Sequence, residues 1–187
     1  MDGTRRWESG PYYAQPYAEI AALFDTVYVS FYKGLGGLAG AALAGPTELI
    51  AEARVWQRRH GGNLVQLYPY VLAARRGLQA HLGRMAQYHD RAVEIAAALA
   101  PLAGLDLLPH PPHTNMMHLF LRGENDRLRD AALDLAAETG IWTFDRLAPT
   151  PLPALHKVEL TVGDATMDLS VAEIAGLLGA ILERARV

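Results

Sequence analysis

The chain has 187 residues and a net charge of −3, with 51% hydrophobic and 20% charged residues, which provides enough apolar material for a core and excludes a disordered chain. This charge balance disfavours a nucleic-acid binder, no apolar run is long enough to span a membrane, and the absence of cysteine excludes disulfides and a cysteine nucleophile. We therefore predict a soluble cytoplasmic protein with no nucleic-acid and no membrane partner.

The first 33 residues predict a loop, a helix and a strand, in that order. Residues 1–15 contain glycine, proline and aromatic residues and are interpreted as a loop. Residues 16–24 start with proline and place apolar side chains at helical spacing, which predicts a helix. Residues 25–33 are rich in β-branched and aromatic side chains, which predicts a strand with Lys33 at its carboxyl end.

The stretch after Lys33 is rich in glycine and alanine. Residues 34–40 include four glycines, which permit tight turns and the close approach of another group. Residues 41–45 predict a second strand that packs tightly against helices. Residues 46–59 predict a helix with Thr47 as its candidate cap, ended by the glycines that follow it.

The middle of the chain predicts long helices, and the last part predicts a small sheet with helices. Residues 64–102 predict one or two helices, with Pro69 and Gly83 as points where a helix starts late or bends. The last part predicts a connector at 105–112, strands at 114–121, 141–144 and 157–162, and helices at 125–138 and 170–186. Gly140 is expected to end the first of these two helices, and Ser170 to cap the second.

This pattern divides the chain into three predicted regions. Residues 1–45 predict part of a large α/β domain, residues 46–102 a helical bridge, and residues 103–187 a small α+β domain. Because a parallel sheet normally has more than two or three strands and is covered on both faces, we expect the first region to be incomplete.

Asp2 and Lys33 are the residues with the most informative chemistry. They lie 31 positions apart with a predicted helix between them, a length that suits a crossover between two neighbouring parallel strands. Both would then lie at the carboxyl edge of a sheet, where open α/β folds bind ligands. Only Lys33 and Lys157 of the 17 Lys and Arg residues are lysines, and arginine cannot supply a free amine. On spacing alone, however, both residues are more often surface groups.

Two motifs around these residues resemble those of the threonine aldolases. Asp2-Gly-Thr-Arg5 resembles the Asp-Gly-Ala-Arg motif of that family, and the segment at 29–40 is similar to the Ser-Lys-Gly-Leu-Gly segment that carries the Schiff-base lysine. Residues 53–66 resemble an Arg-Trp-Arg-Lys stretch that is followed by glycines. The chain thus resembles the C-terminal portion of the threonine aldolase and β-eliminating lyase family, whose members have the α/β fold of fold-type I pyridoxal 5′-phosphate (PLP) enzymes.

The resemblance implies a role for each residue of these motifs. Lys33 would bind PLP covalently, Asp2 would pair with its pyridine nitrogen, and Arg5 would lie near the ring and the substrate carboxylate. Ser30 would support the cofactor, although a strand serine without such a role is equally consistent with the sequence. The basic stretch at 58–59 would lie near a neighbouring subunit's cofactor, or would simply be a solvated helix end.

The chain departs from the family's pattern at two positions. Val65 stands where the family has an arginine, and His156 and Lys157 stand nearest to the arginine that holds the substrate carboxylate in the family. A lysine can hold a carboxylate as a point charge but cannot bind it through two parallel hydrogen bonds. The histidines at 110, 113 and 118 lack regular metal-ligand spacing, so no metal site is predicted.

The resemblance implies a PLP-dependent lyase that cleaves a β-hydroxy-α-amino acid to glycine and an aldehyde. The departures leave open another PLP reaction, either β-elimination or transamination. The family's phosphate-binding loop lies in an earlier half that this sequence does not contain, so an inactive fragment or the partner subunit of a split enzyme is a further alternative. The expected partners are a small amino-acid substrate and either further copies, in a dimer or tetramer, or a missing N-terminal half.

Overall fold

The computed structural model of the protein describes residues 1–186, which divide between Ala86 and Gln87 into two compact units. The three-region division inferred from the sequence stays a prediction. None of the helices described is long and apolar enough to cross a membrane.

The first unit is built on a three-stranded sheet in the order β1-β2-β3. Its strands are β1 (Asp2–Gly3), β2 (Val27–Ser30) and β3 (Ala41–Ala44). β1 and β2 are parallel and pair Asp2 with Tyr28, whereas β3 runs antiparallel to β2. Two helices, α1 (Arg6–Tyr13) and α2 (Tyr17–Ala21), connect β1 to β2, which is the crossover that the spacing predicted.

The loop predicted for residues 1–15 is wrong, because these residues form β1 and α1. α1 contains a glycine and a proline, so its sequence disfavours a helix. Contacts distant in sequence stabilise it: Trp7 Nε1 donates a hydrogen bond to Ser30 O (2.8 Å), and Tyr17 Oη donates to Trp7 O (2.9 Å). Tertiary structure therefore overrides local propensity in this segment.

The strand predicted at 41–45 forms as β3, but it does not pack tightly against helices, because all four of its residues are exposed. Three longer helices follow, α3 (Thr47–Arg59), α4 (Tyr68–His81) and α5 (Met85–Leu99). Thr47 is the first helical residue of α3 and not its cap, since Pro46 occupies the cap position. The expected bend at Gly83 is confirmed by a 3₁₀ turn at Leu82–Arg84, between α4 and α5.

The second unit contains a four-stranded antiparallel sheet in the order β4-β5-β7-β6. Its strands are β4 (Leu105–Leu108), β5 (Met116–Arg122), β6 (Ala148–Pro149) and β7 (Leu155–Thr161). Its helices are α5 from Gln87 onward, α6 (Asn125–Thr139), α7 (Asp164–Met167) and α8 (Val171–Ala185). Met117, Leu119 and Leu121 alternate along β5 and are buried, as one covered face of a sheet requires.

Two predictions for this unit are wrong, whereas the predicted end of α6 and the predicted cap of α8 are confirmed. Residues 105–112 were expected to form only a connector, but their first half is β4, which pairs with β5. Residues 141–144 form no strand, and the pairing position beside β7 belongs to β6. Gly140 ends α6 with φ 72°, and Ser170 caps α8 in a reciprocal pair of hydrogen bonds with Glu173.

Candidate active site

The topology brings Asp2, Arg5 and Lys33 to the same edge of the first sheet. β1 and β2 are parallel, so their carboxyl ends lie together. Asp2 belongs to β1, and Arg5 precedes the first residue of α1. Lys33 lies three residues beyond the end of β2.

Asp2 is exposed, and its carboxylate is held by the chain that follows it. Its Oδ1 accepts hydrogen bonds from the hydroxyl of Thr4 (2.6 Å) and from Thr4 N (3.0 Å). The hydroxyl bond, followed by the backbone bond, lowers the pKa of Asp2 below its ordinary value, so the group is ionised at neutral pH. Both bonds go to Oδ1, and among the described residues Oδ2 remains available to accept another donor.

Two tyrosines lie close to the candidate site residues. The Lys33 ammonium lies 5.8 Å from the centre of the Tyr32 ring, and Tyr32 Oη is 3.3 Å from Tyr28 Oη. The hydrogen bond to Tyr32 raises the pKa of Tyr28, and the negative charge of Asp2 contributes in the same direction. Lys33 itself is exposed. Neither tyrosine is predicted from the sequence as a site residue, because aromatic residues in strands are ordinary core or surface residues.

Ser30 is 1% exposed and connects β2 to the turn that follows β1. Its hydroxyl donates a 2.6 Å hydrogen bond to Thr4 O, and its own carbonyl oxygen accepts from Trp7 Nε1. The side chain thus holds the Asp2–Thr4 segment in place, and a direct contact of Ser30 with a cofactor stays a prediction.

The segment after Lys33 is folded into tight turns. Gly36 N donates to Lys33 O (2.8 Å), and Gly36 has a positive φ of 68°, which only glycine adopts without strain. Gly34 N donates to Glu8 Oε1 (2.7 Å), and Glu8 is fully buried. The sequence does not indicate a role for Glu8, because its segment has the composition of a loop.

His156 and Lys157 lie on opposite faces of the second sheet, because neighbouring strand residues alternate. His156 pairs with Leu121 on the face whose residues Leu119 and Val158 line a cavity together with α8. Its Nδ1 is buried and has no hydrogen-bond partner among the described residues. Lys157 lies on the opposite face of the sheet, which is the face away from α8.

The basic stretch near the end of α3 lines a cleft of 680 Å³. Arg54, Arg58 and Arg59 contribute to the cleft, and the Arg59 guanidinium lies 4.9 Å from the centre of the Trp56 ring. Val65, which stands where an arginine was expected, is fully exposed. Within residues 1–186, no group of three or more His, Cys, Asp or Glu side chains is arranged to hold a metal ion.

The fold of the chain is similar to that of two solved structures whose names refer to threonine aldolases. The chain superposes on a candidate L-allo-threonine aldolase from Listeria monocytogenes with a TM-score of 0.88 and 38% identity, covering 98% of this chain and 51% of that one. It superposes on a candidate aromatic amino acid β-eliminating lyase/threonine aldolase from an Exiguobacterium species with a TM-score of 0.89, 37% identity and the same coverage.

Residues 1–124 match the family described as beta-eliminating lyase, and the chain belongs to that family. A low-specificity L-threonine aldolase of Schizosaccharomyces pombe is 30% identical over 118 residues, which is 63% of this chain and 31% of that protein. The family and the α/β fold predicted from the Asp2 and Lys33 motifs are thereby confirmed. The chain spans about half the length of the two solved structures.

Proposed function

We propose that this chain carries the cofactor-binding lysine of a PLP-dependent lyase of threonine aldolase type. The observation that carries the proposal is the placement of Asp2 and Lys33 at the carboxyl ends of adjacent parallel strands, in a chain of this family. The preferred reaction is cleavage of the Cα–Cβ bond of a β-hydroxy-α-amino acid. The proton of the β-hydroxyl leaves, a proton is returned to Cα, and the products are an aldehyde and glycine.

The residues present fit the proposed cofactor. PLP, when bound, supplies an electron sink for the electron pair released at the substrate Cα. Lys33 provides a primary amine that can bind the PLP aldehyde, a bond that arginine cannot form. Asp2 has an ionised carboxylate whose Oδ2 can accept a hydrogen bond from a protonated ring nitrogen. The turn after Lys33 contains four glycines, which permit the close approach of another group.

We propose that cationic side chains bind the substrate carboxylate. Arg5 lies at the same sheet edge as Lys33, and its planar guanidinium can bind a carboxylate through two hydrogen bonds. Lys157 is the second candidate on the resemblance alone, because it stands nearest to the arginine that holds the substrate carboxylate in the family. His156 is the weaker candidate, since its ring lies on the covered face and its Nδ1 is buried.

The absorption spectrum of the purified chain mixed with PLP tests this proposal. We expect a visible absorption band from lysine-bound cofactor in the wild type, its loss in Lys33→Ala and its retention in Lys157→Ala, which removes the other lysine. Borohydride reduction followed by peptide mass spectrometry should place the label on Lys33. A label on Lys157 alone would contradict the proposal.

Val65 stands where the family has an arginine, and this difference supports β-elimination or transamination as other reactions of the same site. Product analysis separates them, because cleavage yields glycine and an aldehyde whereas β-elimination yields a keto acid and ammonia. Transamination would instead leave the amino group on the cofactor.

A partner role is the alternative from a different class, and it is supported by the span of about half of the related structures and by the exposed strand β3. Co-expression with the part of the Listeria protein that lies outside the matched region tests it. The partner role predicts a stable complex and a cofactor band that appears only with both pieces. A band of full intensity from this chain alone would contradict that role. If this chain needs no such partner, we propose that it assembles with further copies of itself into a dimer or tetramer.

A further inference from the structure

We propose that Glu8 is a positioning residue for Lys33, an inference that rests on the proposed function of Lys33. Glu8 lies in the first turn of α1, and Gly34 lies directly after Lys33. The buried Glu8 carboxylate binds the backbone of Gly34 and thereby sets the direction in which the Lys33 side chain leaves the backbone.

The contact is short, and its carboxyl group is buried. Gly34 N donates to Glu8 Oε1 at 2.7 Å, across 26 residues of sequence, and Glu8 is 0% exposed. A hydrogen bond from a backbone N–H to a carboxylate is stronger than one between neutral groups. The loss of Glu8 would remove the acceptor of the Gly34 amide, and the segment would have to rearrange to satisfy that amide.

Gly34 is shaped to receive this carboxylate. A Cβ placed on Gly34 would lie 2.6 Å from Glu8 Oε1, 2.7 Å from Cγ and 2.8 Å from Cδ, closer than real atoms approach. The residue after Lys33 therefore has to be glycine for Glu8 to reach the backbone. The same segment is held from a second side, because a Cβ on Gly77 of α4 would lie 2.2 Å from Leu35 O.

The second carboxylate oxygen of Glu8 argues against a purely structural role for this residue. Its Oε2 is buried and has no hydrogen-bond partner among the described residues, and the burial of a partly unpaired carboxylate is costly. An apolar side chain would fill the same volume at lower cost but could not accept the Gly34 N–H. A group with this cost is expected where its hydrogen bond orders something that the protein uses, and here the ordered residue is adjacent to Lys33.

Competitive labelling of the two lysines tests the inference in the full chain. The protein is mixed with PLP, reduced with borohydride and digested, and the ratio of label on Lys33 to label on Lys157 is measured by mass spectrometry. Lys157 lies in the other unit and serves as the internal reference. The urea-denatured chain gives the ratio expected without any site.

We expect Glu8→Ala to lower the ratio by about tenfold, the size of one lost charge-assisted hydrogen bond. Glu8→Gln keeps an acceptor oxygen of the same reach and should restore most of the ratio. Glu19→Ala is the matched control, because it removes an exposed carboxylate of α2 in the same unit and should leave the ratio unchanged. Circular dichroism verifies that each variant is folded.

Gly34→Ala provides a test that does not depend on the stability of Glu8→Ala. It should lower the ratio in the wild-type background but add little in the Glu8→Ala background, because both changes break the same contact. Additive effects, or an unchanged ratio in folded Glu8→Ala, would overturn the positioning role. A wild-type ratio equal to that of the denatured chain would instead overturn the proposed function of Lys33, and the two failures are therefore distinguishable.

Discussion

A methyl group added at Gly77 should displace the segment that follows Lys33, at residues 34–40. Gly77 is buried in α4, and a Cβ built on it would lie 2.2 Å from the carbonyl oxygen of Leu35. Ordinary contact begins at 3.4 Å, so the helix and the segment would have to separate by about 1 Å. The clashing atom belongs to the backbone and cannot rotate away as a side chain would.

The magnitude follows from two opposed effects of Gly77→Ala. Alanine improves helix propensity by about 1 kcal/mol relative to glycine. Overpacking of a rigid contact costs about 1–3 kcal/mol, and the upper end applies here because the contact is with backbone. We therefore expect the free energy of unfolding to fall by about 2 kcal/mol, with the strain concentrated in the residues after Lys33.

Urea unfolding followed by circular dichroism measures the loss of stability in Gly77→Ala. Hydrogen exchange of peptides that cover residues 31–40 shows whether the loss is local. Gly83→Ala is the matched control in the same unit, because nothing lies within 4 Å of a Cβ at that position. A Gly77→Ala variant as stable as the wild type, with unchanged exchange at 31–40, would refute the packing argument.

Two further predictions concern single polar contacts. Ser30→Ala removes the donor to Thr4 O and should lower the free energy of unfolding by about 1 kcal/mol; urea titration measures this, and an unchanged midpoint would show that the bond contributes nothing. Glu138 accepts two hydrogen bonds from Arg184, at 2.9 and 2.7 Å, and the hydrogen-bonded partner lowers the pKa of Glu138 below its ordinary value of 4.5. The contribution of Glu138 to stability is therefore present above pH 4.5 and is lost as the pH falls through the lower pKa of the folded state. Glu138→Gln should consequently show a shallower decline in Tm at acid pH than the wild type. Parallel declines in the two proteins would contradict this.

The two units differ in how completely they bury their apolar residues. In the first unit, β3 and α3 contain no buried residue, although both carry apolar side chains. In the second unit, β5 and α8 bury a continuous set of apolar residues. The exposed apolar surface of the first unit is therefore where the partner polypeptide of the alternative proposal would contribute most stability.

Local sequence chemistry alone determined several elements of this protein. Ser170 and Glu173 form the predicted cap because their side chains satisfy amide groups only a few residues away. Gly140 ends α6, and the chain bends near Gly83, for equally local reasons. Lys33 follows a strand because residues 27–30 have strong β propensity, and the motifs around it were sufficient to predict the family.

The tertiary structure decided the features that depend on partners distant in sequence. Glu8 is buried beside Gly34 through a contact across 26 residues, which no local pattern in a segment containing glycine and proline indicates. Strand β4 exists because β5 provides its hydrogen bonds, and the register of β7 decides that His156 and Lys157 face opposite sides. Propensity acts over a few residues, whereas burial and strand pairing are set by which distant groups fill the same space. The residues near Lys33 could therefore be predicted, but the group that holds its segment could be found only in the folded chain.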